Sequence, residues 1–504
     1  MNILVTGASG YIGRCLVPRL RQGGHHVSCL VRKPERLIFR AQEEVEIRQG
    51  DLLDPASLQE AFKGIEVAYY LVHSMADGVR GYIGRDLQAA RNFGEAAQAA
   101  GVTRIIYLGG LGERDKAISP HLEARQHVGE LLRESGVPVT ELRAAIVIGS
   151  GSMSFEMIRY LTERLPILPT PAWITTLCQP IAIENVLDYL VRSLSEPRSV
   201  GAIFEIGGPD VLTYADIMRG YAAARRLKRR LVRLPFLTTK MLATGANVVT
   251  PLPAPYLHIL IEGLRSEVVV RDPSAQRVFA LELIPYRQAI QKALERDGSG
   301  EVEAYWAGIQ AGARPGRTSK IREGMYIEQI RLESNADLEA LYGSFASLGG
   351  KAGWYYANLL WQIRGLIDRL AGGVGIRRGR RSEADLREGD VLGGYKVEKV
   401  DIGRMVRLRN EMKAPGPAWM QFEASRSDNG RSLYTQTAFF EPHGLVGLAY
   451  WWGLYPFHQL ILKGMARAIV RRAQAACGLE ISSPGFTIKN ITKDTKDSKD
   501  TKDS

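Results

Sequence analysis

The chain has 504 residues, of which 45% are hydrophobic and 24% charged, and a net charge of +12. Domains average about 100–200 residues, so one core is excluded and two or three domains are expected, while the ordinary composition argues against a wholly disordered or fibrous protein. The positive balance suits anionic partners such as a phosphorylated cofactor, an acidic membrane surface or nucleic acid. Cys15, Cys29, Cys178 and Cys477 are scattered, without CxxC spacing or histidine partners, which argues against a disulfide frame or a zinc site.

Met1 leads directly into an apolar run with no charged leader, so a cytoplasmic location is expected. From Met1 to about Gly149, "NILVT", "HHVSCLVR", "VEIRQGD", "IEVAYYLVHS", "RIIYLGGLG" and "VTELRAAIVIG" read as strands, with helices such as "GYIGRDLQAARNFGEAAQAAG" between them. Continuous apolar strands alternating with helices predict an α/β fold, a doubly wound parallel sheet covered on both faces. The following stretch to residue 297 is more helical, with "SFEMIRYLTERL", "IENVLDYLVRSL" and "TYADIMRGYAAARRL", and is expected to form a substrate lobe over the carboxyl ends of the strands.

Residues 298–320 are Gly-, Pro- and base-rich and read as a linker. Residues 321–485 are expected to form an α+β domain, with "YKVEKVDIGRMVRLRNEM", "AWMQFEAS" and "SLYTQTAFFEP" as strands and "PFHQLILKGMARAIVRRAQAA" as a closing helix. The tail, 486–504, is a polar repeat that cannot bury a core. "LVGLAYWWGLYPFHQLIL" is nearly uncharged, but Pro456 and its glycines argue for a strand turning into a helix rather than a membrane span. Surface association of this domain with the inner face of a membrane stays open. The basic runs "RRLKRRLVR" and "IRRGRRSEADLR" lack interleaved aromatics, so no nucleic-acid partner is expected.

"LVTGASGYIG" places Thr6, Gly7, Gly10 and Gly13 between the first strand and the first helix, with Ser9, Tyr11 and Ile12 among them. Gly7 suits a tight turn, Gly10 close approach of a pyrophosphate, and Gly13 close helix packing, which together predict a dinucleotide site at a helix N-terminus. Where an acidic residue would hold the ribose of NAD, the second strand ends in Arg32 and Lys33, which favours NADP over NAD unless both are plain surface charges. Asp51, with Leu52, either accepts from the adenine amine or caps the "PASLQEAF" helix.

These motifs, with "GDLLD", "YYLVHSM", "YLGGLGE" and "HLEAR", resemble the atypical short-chain dehydrogenase/reductases with an NmrA-like NAD(P)-binding domain. "GIRRGRRSEADLREGD", "AWMQFEA" and "LYTQTAFFEPHGLVGLAYWW" resemble DUF2867, regarded as similar to START-type helix-grip folds whose cavity takes apolar ligands. In working short-chain dehydrogenases, the resemblance implies a Ser after the fifth strand and Tyr-x-x-x-Lys on the next helix. This chain has Gly109, Gly110 and Leu111 there, then His121 and Arg125. His121 either donates the proton or caps and packs at the helix start; Arg125 keeps the charge that would face the ribose. A Tyr-x-x-x-Lys does occur at Tyr395–Lys399, on a strand of the other domain where residues four apart share a face, and is read as chance.

His73 and Ser74, where the fourth strand opens, are candidate nicotinamide-side contacts, with a satisfied core histidine as the alternative. Trp419, Phe422, Tyr434, Phe439, Tyr450 and Trp451 either line an apolar cavity or form core. The expected function is an NADP-dependent oxidoreductase acting on a small apolar or lipid-like carbonyl or enoyl compound. The alternative is a non-catalytic NADP(H)-binding redox sensor or assembly protein.

Overall fold

Strand β1 (Asn2–Thr6) is buried from Ile3 onward, as a strand between two helical layers must be. The alternation continues through α1 (Tyr11–Gln22), β2 (His26–Val31), β3 (Glu46–Gln49), α2 (Pro55–Ala61), β4 (Val67–Tyr70), α3 (Tyr82–Ala99), β5 (Arg104–Gly110), α4 (Pro120–Glu134) and β6 (Val139–Ala144). The computed structural model describes residues 1–32, 45–73, 81–112, 118–250, 252, 254–298, 316–322, 325–349, 353–376, 386–427 and 430–478. It divides into two compact units, Met1–Gly312 and Ala313–Ser504.

The first unit is a Rossmann-like sheet, ordered β7-β6-β5-β4-β1-β2-β3 with every pair parallel. Its edge strand β7 (Ile203–Ile206) was not expected, since it lies beyond the stretch where strands and helices alternate. One face packs α1 and α6 (Ile183–Arg192) through Leu16, Leu20, Leu187 and Leu190; the other packs α2, α3 and α4 through Leu58, Phe93 and Leu132. Each such buried side chain is worth about 1.5–3 kcal/mol. The strand order reverses between β1 and β4, which opens a crevice at their carboxyl ends. Helices α5 (Met153–Arg164), α7 (Tyr214–Ala224), α8 (Thr239–Val249), α9 (Ala254–Gly263), α10 (Ser274–Phe279) and α11 (Tyr286–Gly298) make up the helical lobe and its return.

The second unit is an antiparallel sheet ordered β8-β9-β14-β13-β12-β11-β10. Its strands are β8 (Gly316–Arg322), β9 (Met325–Ser334), β10 (Val391–Leu392), β11 (Tyr395–Asp401), β12 (Met405–Asn410), β13 (Ala418–Arg426) and β14 (Ser432–Phe440). Helices α12 (Leu338–Ala346), α13 (Asn358–Leu370) and α14 (Gly444–Ala476) accompany it. Met465, Ile469 and Val470 of α14 pack on Phe422, Tyr434 and Leu408 of the sheet, a helix-grip arrangement.

Three expectations are corrected here. The end of the stretch read as linker is strand β8, paired along its length with β9. "LVGLAYWW" is helical, and α14 runs through Pro456. Proline removes one helical hydrogen bond, but Leu448 and Trp451 on the preceding turns are buried against Phe440 and Tyr326, and that packing holds the helix. Tyr395 and Lys399 do not share a face, because a register shift between Val397 and Lys399 pairs Tyr395 with Asn410 but Lys399 with Arg407. Among the described residues, no helix is long and apolar enough to cross a membrane. The tail, most of the linker and most of "IRRGRRSEADLR" lie outside the described residues.

Candidate active-site cleft

Three chain segments meet in the crevice. The first is the glycine turn after β1. Gly7 has φ +71°, and a Cβ there would lie 2.5 Å from the Leu71 carbonyl oxygen. A Cβ on Gly13 would meet the Gly7 carbonyl oxygen at 2.4 Å, so α1 can approach the turn only with glycine at this position. Gly10 donates its N–H to the Gly7 carbonyl at 2.9 Å and begins α1 with no side-chain cap. Ser9 and Gly10 are exposed at the crest, while Tyr11 and Ile12 line the cleft. Thr6 does not line it: its buried hydroxyl donates to the Tyr69 carbonyl at 2.9 Å and ties β1 to β4.

The second segment is the end of β4. His73 is not an isolated core histidine. Its Nδ1 lies 2.9 Å from Oδ2 of Asp86, a buried residue of α3, and its Nε2 lies 3.2 Å from Nδ1 of His121. The two imidazoles stack, with centroids 4.6 Å apart and planes inclined by 21°. Burial lowers the pKa of both. Asp86 partly offsets this for His73. His121 has His73 and Arg125 beside it as well and falls further below the ordinary imidazole value. Ser74 lies outside the described residues.

The third segment is the end of β5 with α4. Ser119 caps α4 by accepting from the Leu122 N–H, and Pro120 opens it, so His121 is not the cap. His121 and Arg125 are one helical turn apart and both line the cleft. Arg125 donates from Nη2 to the Leu108 carbonyl and lies over the Tyr107 ring, 5.4 Å from its centroid, while the Tyr107 hydroxyl donates to the Arg125 carbonyl at 2.7 Å. Where the family places a serine, a Cβ on Gly110 would lie 2.9 Å from Leu122 Cδ2. The cavity, about 370 Å³, is also lined by Met157, Ile259, Leu260 and Leu264 of the helical lobe.

The remaining sequence candidates are peripheral to this cavity. Arg32 is exposed at the end of β2, and Lys33 lies outside the described residues. Asp51 does not cap α2; Asp54 does, while the Asp51 carboxylate accepts from the Leu53 N–H at 3.0 Å within the preceding turn. Leu52 is core, and its carbonyl accepts from Asn92 at 2.8 Å. In the second unit, Trp419, Phe439, Tyr450 and Trp451 line a separate cavity, whereas Phe422 and Tyr434 are packed core.

Asp86 is the residue that sequence reasoning missed. Its signal was present: Tyr82, Asp86, Ala89, Ala90 and Phe93 form the buried stripe of α3, and a carboxylate on such a stripe requires a partner. Among the described residues, no group of three or more His, Cys, Asp or Glu side chains could hold a metal ion.

Residues 7–154 match the family described as NAD(P)H-binding, and residues 325–465 match "Protein of unknown function (DUF2867)". The "Ceramide reductase" of Caulobacter vibrioides is 30% identical over 236 residues, 46% of this chain and 73% of that protein. The chain belongs to the atypical short-chain dehydrogenase/reductases. The chain is also 30% identical over 291 residues to the "Sterol demethylase protein B" of Methylococcus capsulatus, covering 55% of this chain and 84% of that protein. It is 28% identical over 239 residues to the "Photosystem II assembly factor Ycf39" of Cyanophora paradoxa, covering 47% and 72%. Its first unit carries an NmrA-like NAD(P)H-binding domain, and its second carries DUF2867.

Proposed function

We propose that the first unit is an NADPH-dependent reductase of an apolar, lipid-like carbonyl or enoyl compound, with His121 as proton donor and His73 and Asp86 behind it. The observation that carries this reading is the part-buried chain Asp86–His73–His121 on the wall of the cleft that begins at the glycine turn. The cleft suits a dinucleotide: Gly7 and Gly13 leave no room for side chains, and α1 has no side-chain cap to compete with a pyrophosphate. Gly10, Tyr11 and Ile12 would hold that pyrophosphate, Arg32 the adenosine ribose phosphate, and Arg125 would present its charge toward the nicotinamide ribose. NADPH, when bound, supplies the hydride.

The proton path follows from hydrogen-bond bookkeeping. The Asp86 carboxylate can only accept, so Nδ1 of His73 carries a proton. When the pair holds one extra proton, the charge rests on His73 beside Asp86, whose Nε2–H donates to Nδ1 of His121. That leaves Nε2–H of His121 as the donor to a carbonyl oxygen. As that proton leaves, His121 takes one at Nδ1 from His73, and the imidazolium charge never has to reside on His121, which lacks the hydrogen bond to Asp86. The apolar wall of Met157, Ile259, Leu260 and Leu264 suits a hydrophobic substrate. The ceramide and sterol named for two relatives support an apolar substrate class.

The test is single-turnover oxidation of bound NADPH by decanal in the wild type and in His121→Phe. The expected result is a loss of about 100-fold in rate with cofactor affinity unchanged; equal rates would remove His121 as donor. A second reading, a cofactor-binding assembly or sensor protein, is favoured by Gly109, Gly110 and Arg125 standing where the family's serine and lysine are expected, and by the relative named as an assembly factor.

A further inference from the structure

Helix α13 is amphipathic in reverse. Leu359, Leu360, Ile363, Leu366, Ile367 and Leu370 fall on one arc of about 120° around its axis, and all six are exposed, from 36% for Leu360 to 81% for Leu370. The opposite side is the one that docks. Gly365 and Asp368 are buried there, and the Asp368 carboxylate accepts from the backbone N–H of Gly375 at 2.7 Å and of Lys413 at 2.6 Å. A surface helix ordinarily buries its apolar stripe; here polar contacts hold the helix in place and the stripe faces water.

The first half of α14 does the same. Leu445, Val446, Trp452, Phe457 and Leu460 are 45–72% exposed, while Leu448 and Trp451, on the other side, pack with Phe440 and Tyr326. The two stripes meet, since Leu360, Ile363 and Ile367 of α13 and Phe457 of α14 border one cavity. Single apolar side chains on a surface are ordinary, but a continuous apolar patch marks an interaction site.

Charge selects the partner. From Gly444 to Leu462 helix α14 carries no charged side chain, and beyond that only Lys463, Arg467, Arg471 and Arg472. Leu460, Lys463, Arg467 and Arg471 succeed one another at three- and four-residue spacing, so one side of the helix passes from apolar to basic along its length. Helix α13 adds the exposed Arg369, and the one acidic residue on either helix, Asp368, is buried. Apolar side chains bordered by bases, with no exposed carboxylate on either helix, fit a bilayer with anionic headgroups. A second copy of the chain would bring the same positive charge against the patch. The far side of α14 is committed to the sheet through Met465, Ile469 and Val470, which leaves one face to lie on a bilayer.

We infer that α13 and the first half of α14 form a membrane-docking face, with the exposed apolar side chains at the headgroup boundary of an anionic bilayer and the basic second half of α14 toward the lipid phosphates. The inference goes beyond the reductase reading and does not rest on it, because its residues all belong to the second unit.

The test is co-flotation of the full-length protein with vesicles of phosphatidylcholine alone and of phosphatidylcholine mixed with phosphatidylglycerol. Binding to the mixed vesicles should be at least about tenfold tighter and should weaken as salt is raised. Leu366→Ser with Leu370→Ser, and separately Val446→Ser with Leu460→Ser, should each lower it about tenfold; all four side chains are exposed, and melting temperature confirms a folded protein. Arg467→Gln with Arg471→Gln should remove the preference for the anionic vesicles. Ile402→Ser is the control: Ile402 is 85% exposed in the turn between β11 and β12, off both helices, and its loss should leave binding unchanged. No flotation, equal binding to the two vesicles, binding that survives the helix substitutions, an equal loss in Ile402→Ser, or a dimer in solution that the leucine substitutions dissociate would overturn the inference. NADPH titration of the same samples reads the first unit separately, so a failure of the reductase reading is distinguishable from a failure of this one.

Discussion

Nε2 of His73 lies 3.2 Å from Nδ1 of His121, and the two rings stack against each other in a largely buried wall of the cleft. Two imidazoles this close cannot both be charged without a large repulsion, so the pair works as one site that takes up a single proton. Asp86, on the far side of His73, favours the proton on His73 through its hydrogen bond.

Asp86→Asn keeps an acceptor for Nδ1 of His73 but removes the charge that holds the proton there. The expected result is a 10- to 100-fold fall in kcat for NADPH-dependent reduction with the NADPH Kd unchanged, about 1.4–2.7 kcal/mol in the transition state. Parallel losses in kcat and cofactor affinity would instead make Asp86 a purely structural residue.

The pH dependence has a definite sign. Both pKa values are lowered below the ordinary 6.5, so at neutral pH the pair is mostly uncharged and the donating form grows as pH falls. Reduction should therefore accelerate from about pH 8 to about pH 6, by up to about tenfold per unit, while oxidation of the corresponding alcohol, which needs a bare Nε2 on His121, should not. Initial rates in both directions across that range decide it, and a reductive rate that rises with pH would contradict the relay.

Gly13→Ala places a Cβ 2.4 Å from the Gly7 carbonyl oxygen, in backbone that cannot yield as a side chain would. It should lower stability by about 1–3 kcal/mol and abolish NADPH binding. Gly64→Ala is a control for lost glycine as such: Gly64, unlike Gly13, has positive φ (+70°), but it has no neighbour within 4 Å of the added Cβ, so the change should cost stability and leave binding intact. Calorimetric melting with and without NADPH distinguishes the two.

Arg32→Asp replaces a guanidinium at the end of β2 with a carboxylate, which repels a ribose phosphate and accepts from a ribose hydroxyl. The ratio of NADPH to NADH affinity should fall by at least tenfold. An unchanged ratio measured by fluorescence titration would leave Arg32 as a surface charge.

What was legible in the sequence was what depends on neighbours along the chain. Gly7 and Gly13 could be assigned because the steric demands of a strand–turn–helix are local, and the strands beside them because apolar runs mark a doubly covered sheet. What was not legible depends on distant partners. His73 and Asp86 are separated by 13 residues, and His73 and His121 by 48, so the hydrogen-bonded chain forms only once α3 and α4 dock on the sheet. Pro456 misled for the same reason: the local rule against proline in a helix was outweighed by the packing of Trp451 and Leu448, which only the tertiary fold supplies. The paired register that turns Lys399 away from Tyr395 likewise needs the neighbouring strand.

The most direct test of the reductase reading is fluorescence titration of the purified full-length protein with NADPH, followed on the same sample by addition of decanal. The account predicts saturable NADPH binding, tighter than that of NADH, and consumption of the bound cofactor with formation of decanol. Failure to bind either nucleotide, or binding with no consumption by decanal or by longer and bulkier apolar carbonyl compounds, would contradict it.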